Sequence, residues 1–76
     1  MRVMAIKRVN SDELFSRLDA ALAIGVSPRT FDKYFRDKEF ESKAVRVGNR
    51  NAYRGSEINA RIDNLIELNN FYLAKN

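Results

Sequence analysis

Ala21-Leu22-Ala23-Ile24-Gly25-Val26-Ser27-Pro28-Arg29-Thr30-Phe31 holds a helix stop, a turn and a helix start in immediate succession. Gly25 is the residue type that takes a left-handed position after a helix at no steric cost. Ser27 can accept a bond from the first turn of a new helix, and Pro28 suits the first helical position, where its missing N–H leaves nothing unsatisfied. A helix-turn-helix needs a small residue where its helices approach, which Ala21 supplies. It needs apolar residues on both sides of the turn glycine, here Ile24 and Val26, and inside the second helix, here Phe31 and Tyr34. The N-terminal end of such a second helix enters the major groove of DNA. Its outward residues are Ser27, Pro28, Arg29, Asp32, Lys33 and Arg36. An αα-hairpin unrelated to DNA shares much of this pattern.

Working outward, the spacing predicts a first helix from Asn10 or Ser11 to Ala23 or Ile24. Glu13 completes a capping box, and Leu14, Leu18, Ala21 and Leu22 form one apolar stripe. The second helix closes near Asp37 or Lys38, with Phe31, Tyr34 and Phe35 facing inward. Phe40, alone in a charged connection, reads as a core plug. Ala44-Val45-Arg46-Val47, the turn residues Gly48-Asn49-Arg50-Asn51 and Ala52-Tyr53-Arg54 read as a β-hairpin. Ser56 then caps a third helix over residues 56–75, with Ile58, Ile62, Leu65, Ile66, Asn69, Tyr72 and Leu73 at helical spacing. Leu68 and Phe71 fall off that stripe. They are either scattered exposed residues or a second contact face, for the N-terminal segment or for another copy. Residues 1–9 are an arm or a short strand. The expected fold is a single domain over residues 1–76, mainly α with a small β-hairpin.

The chain has 76 residues with 14 basic and 10 acidic side chains and neither Cys nor His. Thiol nucleophiles, imidazole acid–base chemistry, disulfides and zinc fingers are thereby excluded. No pair of carboxylates is organised for catalysis, so no enzyme, catalytic residue, metal site or cofactor is expected. The charge is uneven. Residues 43–61 carry Lys43, Arg46, Arg50, Arg54 and Arg61 against Glu57 alone, while charges elsewhere cancel. A basic hairpin after a helix-turn-helix acts as a wing, on which Arg46, Asn49, Arg50 and Arg54 would meet phosphates or the minor groove. The apolar runs are too short to span a membrane, and charge interrupts the N-terminus too early for a secretory signal. A cytoplasmic, nucleoid-associated protein is expected.

These residues resemble the AlpA-type prophage regulators and related excisionases, which share a MerR-like winged helix-turn-helix. The resemblance covers residues 10–62. It rests on the segment from Ala21 to Phe31, on Glu39-Phe40, on Val45-Arg46-Val47-Gly48-Asn49-Arg50, on Tyr53 and on Ser56-Glu57-Ile58. Glu41 stands where that family usually has Pro, Tyr53 and Ile62 where it often has Trp, and Asp32 where it often has an aromatic residue. The resemblance implies an excisionase, or recombination directionality factor, of a phage or mobile element. Such a protein bends double-stranded DNA for an integrase, with copies side by side, and can also regulate transcription. MerR-type regulators add a long dimerising helix and an effector domain, and this chain has a single C-terminal helix, so no small-molecule effector is expected. The alternatives are a transcriptional regulator without a recombination role and a small protein-interaction module such as an anti-repressor.

Overall fold

In a computed structural model, which describes residues 4–74, the chain runs β1 (Met4–Ile6), β2 (Leu14–Phe15), α1 (Arg17–Ile24), α2 (Pro28–Tyr34), α3 (Lys38–Ser42), β3 (Val45–Val47), β4 (Arg50–Arg54), α4 (Gly55–Glu67) and β5 (Phe71–Leu73). The turn that the sequence marks most clearly forms as its residues dictate. Gly25 sits at φ 96°, ψ 30°, and both its N–H and that of Val26 donate to the carbonyl of Ala21. Ile24 and Val26 are buried on either side of it.

The expectation of a mainly α chain with one hairpin is overturned. The domain is mixed α/β, with 46% helix and 23% strand in two sheets, one a parallel pair and one a three-stranded antiparallel sheet. Three departures from the expected elements produce this. First, the helix expected from Asn10 begins only at Arg17, capped by Ser16, whose Oγ accepts from the Asp19 N–H. Asn10 instead closes a local turn, its Oδ1 accepting from the N–H of Asp12. Leu14 and Phe15 are drawn into β2, opposite Arg54 and Tyr53 of β4. The hairpin is therefore part of a sheet in the order β2-β4-β3, with β4 central.

Second, α4 starts without help from Ser56. The backbone carbonyls of Glu13 and Ser11 accept from the N–H groups of Gly55 and Ser56 at 2.8 and 3.2 Å, so the β2 approach satisfies donors that a side-chain cap would otherwise serve. Third, the helix expected over residues 56–75 stops at Glu67. Asn69 turns to φ 63°, and the N–H groups of Asn69 and Asn70 donate back to the carbonyls of Ile66 and Leu65. That reciprocal pair is a Schellman closure with Asn in the left-handed place usually held by Gly. Phe71–Leu73 then pairs in parallel with Met4–Ile6. Of the expected N-terminal arm or strand, only residues from Met4 on lie within the described part, and residue 75 of the expected helix also lies outside it.

The apolar stripe expected on the first helix faces the wrong way. Leu18 and Leu22 are 58% and 80% exposed, while Ala20, Ala21 and Ile24 are buried. The face with two alanines lets α1 lie close to α2 and β4, which bulky leucines would hold off. The core gathers around aromatic rings. Phe31 stacks on Phe35 at 5.0 Å, Phe40 stacks on Tyr53 at 5.1 Å, and Phe31 meets Tyr53 edge-on. Phe40 thus plugs the core from α3, a short helix where a plain connection was expected. Asn59 of α4 fastens the N-terminal segment, donating to the carbonyl of Val9 and accepting from its N–H. Among the described residues, no helix is long and apolar enough to cross a membrane.

Candidate nucleic-acid interface

The second helix is built to present its first turn. Ser27 Oγ accepts from the Thr30 N–H at 3.1 Å and donates to Thr30 Oγ1 at 3.0 Å, and Pro28 opens the helix. Phe31 and Phe35 are fully buried, which turns Arg29 and Lys33 outward, one turn apart and both exposed. Lys33 lies over the ring of Tyr34 at 5.3 Å. Arg29 forms no ion pair among the described residues.

Asp32 and Arg36, also expected to face a ligand, have protein partners instead. Asp32 accepts two parallel bonds from Arg17, from Nε at 2.8 Å and Nη2 at 2.7 Å, and a third from Arg36 at 3.1 Å. Arg36 in turn donates through Nε to Glu41 at 2.8 Å. Glu41 also accepts from the Tyr53 hydroxyl at 2.5 Å and from Asn51 at 3.2 Å. One chain of charged hydrogen bonds thus links α1, α2, α3 and β4. Its electrostatics follow from the contacts. The Arg17 guanidinium, helped by that of Arg36, holds the Asp32 carboxyl down at about 2. Burial pushes the Tyr53 hydroxyl up to about 12, and the Glu41 carboxylate that it bonds pushes the same way. Burial works to raise the Glu41 carboxyl, but bonds from Tyr53, Arg36 and Asn51 outweigh it and leave the group lowered.

The hairpin carries charge without partners. Val47 pairs with Arg50 across the turn Gly48-Asn49, where Gly48 adopts φ 60°. Arg46, Asn49, Arg50 and Arg54 are exposed, and the three arginines form no ion pair among the described residues. Register splits them. Arg46 stands opposite Asn51, and alternation along β4 puts Arg50 and Arg54 on the other face. The tip nonetheless brings Arg46, Asn49 and Arg50 to one open cleft of about 400 Å³, whose other wall holds Ser16, Arg17, Leu18 and Arg36. Arg54 lies outside that cleft, as do Ser27, Pro28, Arg29, Asp32 and Lys33. The remaining members of the basic segment are structural. Lys43 reaches Glu57 at 3.6 Å, and Arg61 pairs with Asp37 at 2.8 Å while donating to the carbonyls of Tyr34 and Phe35.

Sequence reasoning missed Arg17, Glu41 and Asn51. No local spacing marks Arg17, because its partner Asp32 lies fifteen positions away across the turn. Glu41 left one trace, as a carboxylate in place of the proline usual in the resembled family. Among the described residues, no group of His, Cys, Asp or Glu is arranged to hold a metal ion. No protein-family model matches the chain, and no curated protein or solved structure matches it significantly.

Proposed function

We infer that this protein binds double-stranded DNA, reading bases with the first turn of α2 and gripping the backbone with the β3–β4 hairpin. The observation that carries this reading is the distribution of uncompensated charge. Lys43, Arg61, Arg36 and Arg17 are paired with carboxylates, whereas Arg29 on the helix and Arg46, Arg50 and Arg54 on the hairpin are exposed. Free guanidinium groups on a helix after a tight turn and on a neighbouring hairpin suit a polyanion that is contacted in its groove and along its backbone. The resemblance to AlpA-type regulators and excisionases supports a narrower role within this class. There the protein is an accessory DNA-bending factor that acts on adjacent sites beside an integrase and can also regulate transcription.

A duplex-binding titration at two salt concentrations tests the class. Binding should weaken steeply with salt, because each neutralised phosphate releases condensed counterions. Absent or salt-insensitive binding would remove the DNA reading. A footprint on the flanking DNA of the gene tests the narrower role. Several adjacent protected repeats near an attachment site support it, and a lone site at a promoter favours a regulator without a recombination role.

A further inference from the structure

We propose that the cleft between the start of α1 and the hairpin tip is a two-walled clamp for one phosphodiester of nucleic acid, with Arg17 and Arg36 as its fixed wall and Arg46 and Arg50 as its mobile wall. The proposal rests on the DNA reading above and assigns the backbone grip to a specific place. It also adds Arg17, which nothing in the sequence singled out.

The two walls differ in how their arginines are held. Arg17 gives Nε and Nη2 to Asp32, and Arg36 gives Nε to Glu41 and Nη1 to Asp32. Each guanidinium is therefore oriented by two bonds, yet keeps a terminal nitrogen, Nη1 of Arg17 and Nη2 of Arg36, with no partner among the described residues. Both side chains line the cleft and are about a third exposed or more, at 40% and 33%. A planar donor fixed in this way loses little conformational freedom when it takes an oxyanion. Across the cleft, Arg46 has one long bond, to the Gly48 carbonyl at 3.4 Å, and Arg50 has none among the described residues. These two can close on a ligand from the solvent side.

The charges settle which ligand fits. Four arginines line the cleft, while the two carboxylates that pair with Arg17 and Arg36, Asp32 and Glu41, lie behind them outside its lining, so a net positive charge remains to be met. Both carboxylates are engaged by the arginines of the fixed wall, which leaves the open space to an incoming anion. The cleft is open to solvent and about 400 Å³ in size, which suits a segment of sugar–phosphate chain passing through. The same chemistry would accept a free phosphate or pyrophosphate, and the experiment separates the two sources.

Three proteins are compared in duplex titrations over a range of salt: the unmodified chain, Arg17→Gln, and Arg46→Gln with Arg50→Gln. Thermal melts confirm that each is folded. The double hairpin variant touches no ion pair of the fold and keeps the test open if Arg17→Gln melts early. Arg17→Gln should reduce the slope of log K against log salt by about 0.9, the value of one lost phosphate contact. The hairpin variant should reduce it by about the same amount, because both walls hold the same phosphodiester, with relative preference among sequences unchanged in both. In parallel, inorganic phosphate and pyrophosphate are titrated while the arginine Nε–H resonances of the unmodified chain are followed. If that chain binds duplex but neither variant changes the slope, the clamp is wrong while the DNA reading stands. If pyrophosphate moves the Arg17 and Arg50 signals and duplex fails to displace it, the site serves a small phosphate ligand, and its assignment to nucleic acid is overturned. If the unmodified chain binds no duplex, the DNA reading fails first, visibly and apart from the clamp.

Discussion

Gly55 shows how one residue can carry a tertiary requirement that no local pattern announces. It follows the hairpin and opens α4, where any helix former would serve on propensity alone. A Cβ placed there would lie 1.9 Å from the carbonyl oxygen of Asn10 and 2.8 Å from its carbonyl carbon. The obstacle is backbone, so it cannot swing aside as the end of a side chain would. Gly55→Ala should push β2 away from the start of α4 and break the bonds from Gly55 and Ser56 to Glu13 and Ser11. Chemical denaturation should register a loss of about 2–4 kcal/mol, in the upper range for a point substitution. A loss under half a kcal/mol would mean that the 10–13 turn does not sit against this helix. Asp32 yields a prediction of a different kind. Its carboxyl titrates near 3.8 in an unfolded chain and near 2 in the folded one. The unfolded chain therefore binds more protons between those values, and stability must fall as pH drops from about 4 to about 2. Arg36 and Arg17 are charged throughout that window, so the loss reflects the carboxylate alone. Asp32→Asn should make urea midpoints flatter across that interval. Glu41 and Asp37, whose carboxyls are also lowered, should keep some slope in place. An unchanged profile would show that the Arg17–Asp32 pair does not persist in solution.

At the scale of elements, signals that act within a few residues are legible in the sequence, and those that depend on distant partners are not. Gly25 and Ser27-Pro28 fix the turn because their preferences act within a few residues. The hairpin was legible for the same reason, through Gly48-Asn49 between alternating strands. The start of α1 is hidden in the sequence because Asn10 and Glu13 make a capping-box pattern that serves equally well for a closed turn. Sheet pairing with β4, far along the chain, decided between the two. The end of α4 is equally hidden, because Asn69 is a weaker stop signal than glycine and Tyr72 and Leu73 continue the helical spacing. Part of the candidate site was visible too. Arg29, Lys33, Arg46, Asn49 and Arg50 are exposed as expected, but the pairing of Asp32 and Arg36 with Arg17 and Glu41 depends on tertiary neighbours. The division of labour between α2 and the hairpin makes a prediction at this scale. Arg29→Ala should relax preference at particular base pairs, by about 1–3 kcal/mol where it forms a forked base contact. Arg50→Ala should weaken binding to most sequences alike. Selection from a randomised duplex pool reads both effects at once. A base-specific loss with Arg50→Ala, or an unchanged profile with Arg29→Ala, would reverse the assignment.

At the scale of the whole described fold, β1 and β5 pair across its surface. A two-stranded parallel ribbon has little stability of its own, since it lacks the flanking strands or covering layers that parallel pairing usually needs. Here β1 and β5 are held by what lies beneath them. Ile6 and Phe71 are buried to 1% and 3% exposure, and Phe71 meets the ring of Tyr34 edge-on at 4.9 Å. The Lys7 N–H donates to the carbonyl of Ile24, and the Ala74 N–H to the carbonyl of Ile6. The ribbon therefore touches the end of α1 and the back of α2, the two helices that flank the turn. Phe71, off the helical stripe in the sequence, pairs through its backbone with Met4 and buries its ring in the core. Phe71→Ala should cost about 3 kcal/mol or more, as removal of a buried aromatic ring does. The loss should be communicated in a definite order. Amide exchange should accelerate first at Lys7 and Ala74, whose bonds depend on the ribbon, and then at Gly25 and Val26, whose turn packs against the segment that Lys7 ties down. The amides of β3 and β4 should keep their protection relative to global unfolding, since β4 is paired on both sides and its Tyr53 lies in the aromatic cluster around Phe31 and Phe40. If the variant also lost sequence preference before it lost backbone affinity, the ribbon would be the part of the fold that holds α2 in its reading position. Equal loss of both would instead make the ribbon a general brace.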